Sequence, residues 1–190
     1  MVGMVAEVQQ GRWPEQVGEW TLELLDRLPD DNLRYELLDG TLLVSPAPVV
    51  LHQMVAAGIF RLLDAGVTAD HAVLFAPVDW QPDGRTSLQP DLLVVRKDGL
   101  TGARLIHPPI LVVEILSPTS ARIDRTLKLS RYAEGGIGQY WIVDPRLPSV
   151  EVYDLVDGEY RLTASGRGDE TVAVSTPFAL SVVPATLMPF

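Results

Sequence analysis

The chain has 190 residues, 47% of them apolar, with 25 acidic and 15 basic side chains and a formal charge of −10 at neutral pH; that length suffices to bury roughly 70% of the unfolded surface in one domain. It has no cysteine, which excludes disulfides and thiolate metal sites, suits a reducing cytoplasm and leaves oxygen or imidazole donors for any metal. The acidic balance excludes nucleic-acid binding through overall charge, since counterion release needs clustered Lys and Arg, and leaves only a local basic patch for that purpose.

Met1 to Gln10 lack the basic start and apolar core of a signal peptide, and no run is long enough to span a bilayer, so a cytoplasmic protein without a membrane segment is expected. Val2 to Gly18 shows no period and is expected to fray. Glu19 to Leu28 reads as a short amphipathic helix closed by Pro29, a lid or packing element. Arg34 to Leu38 and Thr41 to Val44 flank Asp39-Gly40, which predicts a two-residue hairpin with positive φ at both turn positions. After the breaks at Pro46 and Pro48, Val55, Ile59, Leu62 and Leu63 mark a core-facing helix over His52 to Leu63.

Val73 to Trp80 is the next strand, followed by a turn at Pro82-Asp83-Gly84. Leu92 to Val95 and Ile110 to Leu116 are nearly continuous apolar runs, as central strands buried on both faces require. Ser117-Pro118-Thr119-Ser120 opens a helix through Glu134, ended by Gly135-Gly136. Tyr140 to Val143 and Val150 to Leu155 are strands, and Asp157-Gly158 turns the latter into a hairpin with Tyr160 to Thr163. The tail from Val172 is apolar and interrupted by prolines. No repeat, linker or second domain is visible over residues 1–190.

If Asp91 to Val95 pairs antiparallel with Ile110 to Glu114, Asp91 lies opposite Glu114, with Cβ atoms about 5 Å apart on one face. Two carboxylates that close in an apolar sheet cost several kcal/mol unless a proton or cation offsets them, and a divalent metal does so directly. The competing reading has Asp91 ending a strand beside Pro90 and Glu114 paired with an arginine. Glu in the middle of Leu111-Val112-Val113-Glu114-Ile115-Leu116 favours function, because Glu is almost never buried unpaired.

Arg122, Arg125, Lys128 and Arg131 sweep round about half of the following helix, either as a phosphate-facing patch or as a solvated face with an Asp124–Lys128 pair. His52 is a candidate ligand or orienting group, and Glu36 a candidate third carboxylate. Each has a structural alternative, a helix-start cap or a solvent-facing strand position. Tyr132, Tyr140 and Trp141 have core spacing, and Asp144-Pro145 reads as a turn.

Together, Tyr35-Glu36 with Asp39-Gly40, His52-Gln53, Pro90-Asp91, Val113-Glu114-Ile115-Leu116-Ser117-Pro118, Asp124, Lys128, Tyr132 and Tyr140-Trp141-Ile142-Val143-Asp144-Pro145 resemble the Uma-two family. That family is placed in the PD-(D/E)XK restriction-endonuclease-like superfamily. The resemblance spans about residues 20 to 160. It implies an α/β (α+β) fold: a mixed β-sheet flanked by helices, with an N-terminal hairpin and a C-terminal β extension.

It further implies a Mg2+-dependent endonuclease acting on DNA as a homodimer. Asp91, Glu114 and the Ile115 carbonyl would hold Mg2+, with Mn2+ as a substitute. The superfamily lysine belongs two residues after the glutamate; here that position is Leu116, and Lys128 is the natural substitute. Gln139 stands where relatives often carry an acid. The alternatives are a non-catalytic interaction or assembly module on the same fold, and a hydrolase of small phosphorylated metabolites, for which no glycine-rich phosphate cradle is present.

Overall fold

The computed structural model describes residues 18–100, 102 and 104–188. Gly18 apart, the expectation of a frayed start lies outside the described residues. The first helix, α1 (Leu22–Leu25), is much shorter than expected: the Thr21 hydroxyl caps the Leu24 amide at 3.4 Å and the helix buries none of its residues. Without an apolar stripe to bury, a single turn has little to extend it.

The hairpin forms as the pattern requires. Strands β1 (Leu33–Leu38) and β2 (Thr41–Pro46) turn at Asp39 and Gly40, whose φ values are 48° and 80°. Helix α2 (Val50–Gly66) buries Val55, Ile59 and Leu63, a four-residue spacing that puts one stripe against the sheet.

The strand expected over Val73 to Trp80 divides into β3 (His71–Phe75) and β4 (Trp80–Asp83). Pro77 has no N–H to offer a ladder, and the chain leaves the first sheet there. β4 then pairs with β5 (Thr86–Leu88), and with the hairpin they make a four-stranded sheet in the order β2-β1-β5-β4.

The larger sheet has six strands, adding β6 (Leu92–Arg96), β7 (Leu111–Ile115), β8 (Gln139–Asp144), β9 (Ser149–Val156) and β10 (Glu159–Arg167) in the order β10-β9-β8-β7-β6-β3. β7 and β8 are parallel and the other neighbours antiparallel, so the sheet is mixed.

The β7–β8 crossover is helical from 121 to 134 but not uniformly so: α3 (Ala121–Ile123) passes into a π-helical turn at Asp124–Lys128 and then into α4 (Leu129–Glu134). Gly136, at φ 75°, ends it. One sheet face packs on α2 and on the tail, where β11 (Val172–Val174) pairs with β12 (Leu180–Val182); the other packs on the crossover helix and on Trp80 and Leu88 of the smaller sheet. Among the described residues no helix is long and apolar enough to cross a membrane.

Candidate active site

β6 and β7 pair in the expected register, Leu92 to Val113 and Leu93 to Val112, and one further step brings Asp91 to Glu114. Both are buried, with 4% and 1% exposure. Asp91 stands just ahead of β6, at the rim of the sheet, where groups from both faces reach it. Its Oδ2 accepts from the Ile115 amide at 2.8 Å and lies 3.0 Å from His52 Nε2, on α2. Its Oδ1 accepts from Arg34 Nη1 of β1 at 3.1 Å.

Glu114 faces the crossover helix. Its Oε1 accepts from Lys128 Nζ at 2.9 Å and from the Tyr132 hydroxyl at 2.7 Å. The same ammonium donates to Glu36 Oε1 and Oε2, at 3.0 and 3.3 Å, and lies 3.7 Å from Asp124 Oδ1. Glu36 also takes the Gln89 amide at 2.9 Å, and Arg34 Nε lies 3.6 Å from its Oε2.

The π-helical turn ends on Lys128. Such turns are frequent at functional sites, and here Asp124 and Lys128 both point inward, at 1% and 2% exposure. The solvated-face reading therefore fails for this pair, and the solvent-facing reading fails for Glu36, which is 3% exposed.

Burial alone would raise the Asp91 carboxyl, but the hydrogen bond and charge of His52, the Arg34 guanidinium and the Ile115 amide bring it down to about 2. Glu114 goes the other way. Its burial, opposed by Lys128 and reinforced by Asp91, Asp124 and Glu36, pushes it up to about 8. Burial also raises Asp124. For Lys128 burial favours the neutral amine, yet Glu114, Glu36 and Asp124 together outweigh it and hold the group above the ordinary lysine range.

The four cations of the crossover helix do not form one patch. Lys128 and Arg131 are buried, and Arg131 binds Asp83, Asp39 and Thr86. Arg125 is held by Glu151 at 2.6 Å, leaving Arg122 as the exposed member without an ion pair among the described residues. A stripe spaced by three turns its members to different sides of a helix, and here two of them turn into the core.

Arg34, Asp124 and Tyr132 are the members of the cluster that the sequence reading did not single out as functional. Arg34 was legible as the same-face neighbour of Glu36, two residues apart on β1; Tyr132 and Asp124 were legible as the four-residue neighbours of Lys128. Tyr140 and Trp141 are core residues, as their spacing indicates. Gln139 is structural as well: it binds Asp154 and Thr176 and accepts from Trp141 Nε1.

The profile of the Uma2 family, described as "Putative restriction endonuclease", matches residues 22–186. The chain belongs to this family. The match runs beyond residue 160 through most of the apolar tail, which therefore belongs to the shared architecture. None of the curated proteins compared matches the chain. Among solved structures, a crystal structure of a protein from Anabaena variabilis, described as a putative nuclease belonging to DUF820, superposes with a TM-score of 0.70 at 21% identity, covering 88% of this chain and 96% of that one. That likeness establishes a nuclease-like α+β fold, and the family description supports a nuclease-like function.

Restriction-endonuclease-like proteins generally use divalent metals, and the cluster's charge suits one. Glu36, Asp91, Glu114 and Asp124 face two permanent cations, Lys128 and Arg34, and Asp124 Oδ1 is buried with no hydrogen-bond partner. The donors are hard oxygens. Among the described residues no three or more His, Cys, Asp or Glu side chains converge as a metal cage. Mg2+ does not require one, because it keeps several waters and binds through one or two carboxylates plus substrate phosphates.

Proposed function

We propose that the protein is a Mg2+-dependent endonuclease that hydrolyses DNA phosphodiester bonds, with Mn2+ as an alternative ion. Asp91 and Glu114 hold the ion, together with the Ile115 carbonyl. Bound there, the metal supplies Lewis-acid stabilisation of the phosphoryl oxygens and lowers the pKa of a coordinated water.

The observation that carries this reading is the meeting of Lys128 Nζ with Glu114 Oε1 at 2.9 Å, beside the register-matched Asp91. Leu116, at the position of the superfamily lysine, is 4% exposed and packed in the apolar core. An amine from the crossover helix reaches the same glutamate instead.

The roles follow from the electrostatics. Lys128 stays charged, because its three carboxylates hold it above the ordinary lysine range, so it serves as a donor to phosphoryl oxygen rather than as a base. Glu36 positions that ammonium. His52, Arg34 and the Ile115 amide fix the rotamer of Asp91 and keep it ionised, as groups behind a metal ligand do.

The test is nicking of supercoiled plasmid in Mg2+ or Mn2+, with Asp91→Ala, Glu114→Ala and Lys128→Met as controls. Metal-dependent nicking by the wild type and its loss in all three is expected. Equal nicking by wild type and variants removes the proposal. The internal pairing of the carboxylates by Lys128 and Arg34 favours a second reading, a non-catalytic interaction scaffold, which metal-dependent cleavage would dispose of.

A further inference from the structure

A cleft of about 840 Å³ opens from Asp91, His52 and Arg34 between α1, β1 and α2. One wall is apolar and aromatic: Phe75, paired with Leu92 next to Asp91, is 59% exposed and meets Phe60 edge to face at 5.5 Å, with Leu33, 38% exposed, also lining the cleft. An exposed phenylalanine in a polar-floored cleft costs solubility without stabilising the core. The volume falls within the range of sites for single small ligands, roughly 300–1,000 Å³. It has room for an unstacked nucleotide or two, and stacking at Phe75 needs a base with a free face, which a duplex interior does not present.

Charge points the same way. Strong duplex binding takes roughly six to ten phosphate contacts, yet Arg125 and Arg131 are held by the protein's own carboxylates and Lys128 is buried at the reacting phosphoryl position. On the cleft itself Arg34, at the floor, is shared with Asp91 and Glu36, while Arg61, exposed and without an ion pair among the described residues, stands on the wall. Of the cleft's other aspartates, Asp26 is held by Arg104, which leaves Asp30 and Asp79 as opposing charges, the latter hydrogen-bonded by the neutral Gln89 amide. One free guanidinium suits a single phosphate.

We propose that this cleft takes an unpaired base of a single-stranded DNA segment, stacked at Phe75, and sets the adjoining phosphate over Asp91. The inference rests on the nuclease reading for its substrate, but its test does not depend on cleavage. Fluorescence anisotropy in EDTA, with a labelled oligothymidylate of about ten nucleotides and a duplex of equal length, reads binding alone.

The single strand is expected to bind about tenfold more tightly than the duplex, and Phe75→Ala to weaken it by about tenfold at unchanged melting temperature. Arg61→Ala is expected to lower the salt slope by about one. Equal or tighter binding of the duplex, no binding of either, or wild-type affinity in Phe75→Ala overturns the proposal. Binding as expected with no Mg2+- or Mn2+-dependent cleavage of either the single strand or plasmid removes the nuclease reading alone; cleavage with a duplex preference removes the cleft assignment alone.

Discussion

Replacing Glu114 by glutamine keeps the shape of the side chain and an oxygen able to accept from Lys128 and Tyr132, but removes a charge with no water around it. In the wild type this carboxyl is lifted from 4.5 to about 8 by burial. The folded state therefore binds the proton more tightly than the unfolded state. Stability falls as pH rises from about 4.5, and the loss levels off above about 8.

At about 1.36 kcal/mol per pH decade the full effect approaches about 5 kcal/mol. Glutamine escapes it, and the attraction of Lys128 is already contained in the shift; Glu36 at 3.0 Å and Asp124 at 3.7 Å remain as partners of the ammonium. Glu114→Gln is expected to be more stable than wild type by up to about 5 kcal/mol near pH 9, with the gap closing below about pH 5. Urea unfolding followed by tryptophan fluorescence at both pH values measures it. A variant no more stable than wild type at the alkaline end would show that Glu114 is ionised and fully offset by Lys128, and the reasoning would fail.

Asp91 has the opposite sign. Held at about 2 against an ordinary 3.8, it contributes stability that is present above pH 3.8 and lost as pH falls through 2. Asp91→Asn should lack that loss, worth about 2–3 kcal/mol, and identical acid-unfolding limbs for the two proteins would contradict it. Away from the site, a Cβ on Gly135 would fall 2.5 Å from Trp80 Cζ2. Gly135→Ala is expected to cost about 1–3 kcal/mol, read as a lower thermal midpoint; an unchanged midpoint would mean the Trp80 ring yields freely.

Much of the fold was legible because it is set by short-range rules. Asp39-Gly40 demands a two-residue hairpin, the stripe through Val55, Ile59 and Leu63 demands a helix, and the two apolar runs demand central strands. Where reading failed, a longer-range choice had been made. The strand expected through Trp80 broke at Pro77 because the chain changes sheets there, and a four-residue helix stood where Glu19 to Leu28 was expected because the turn buries none of its own residues.

The candidate site divides the same way. The facing of Asp91 and Glu114 was determined by the sequence, since two five-residue apolar runs have one register that buries both faces. Which cation answers which carboxylate was decided only by tertiary packing. Lys128 meets Glu36 across 92 residues and Arg34 meets Asp91 across 57, distances over which periodicity carries no information. Alternation along β1 says that Arg34 and Glu36 share a face, and helical spacing says that Asp124, Lys128 and Tyr132 do. That the two faces close over one another, and so bury three carboxylates around a single ammonium, follows from the packing of the smaller sheet and the crossover helix over β7.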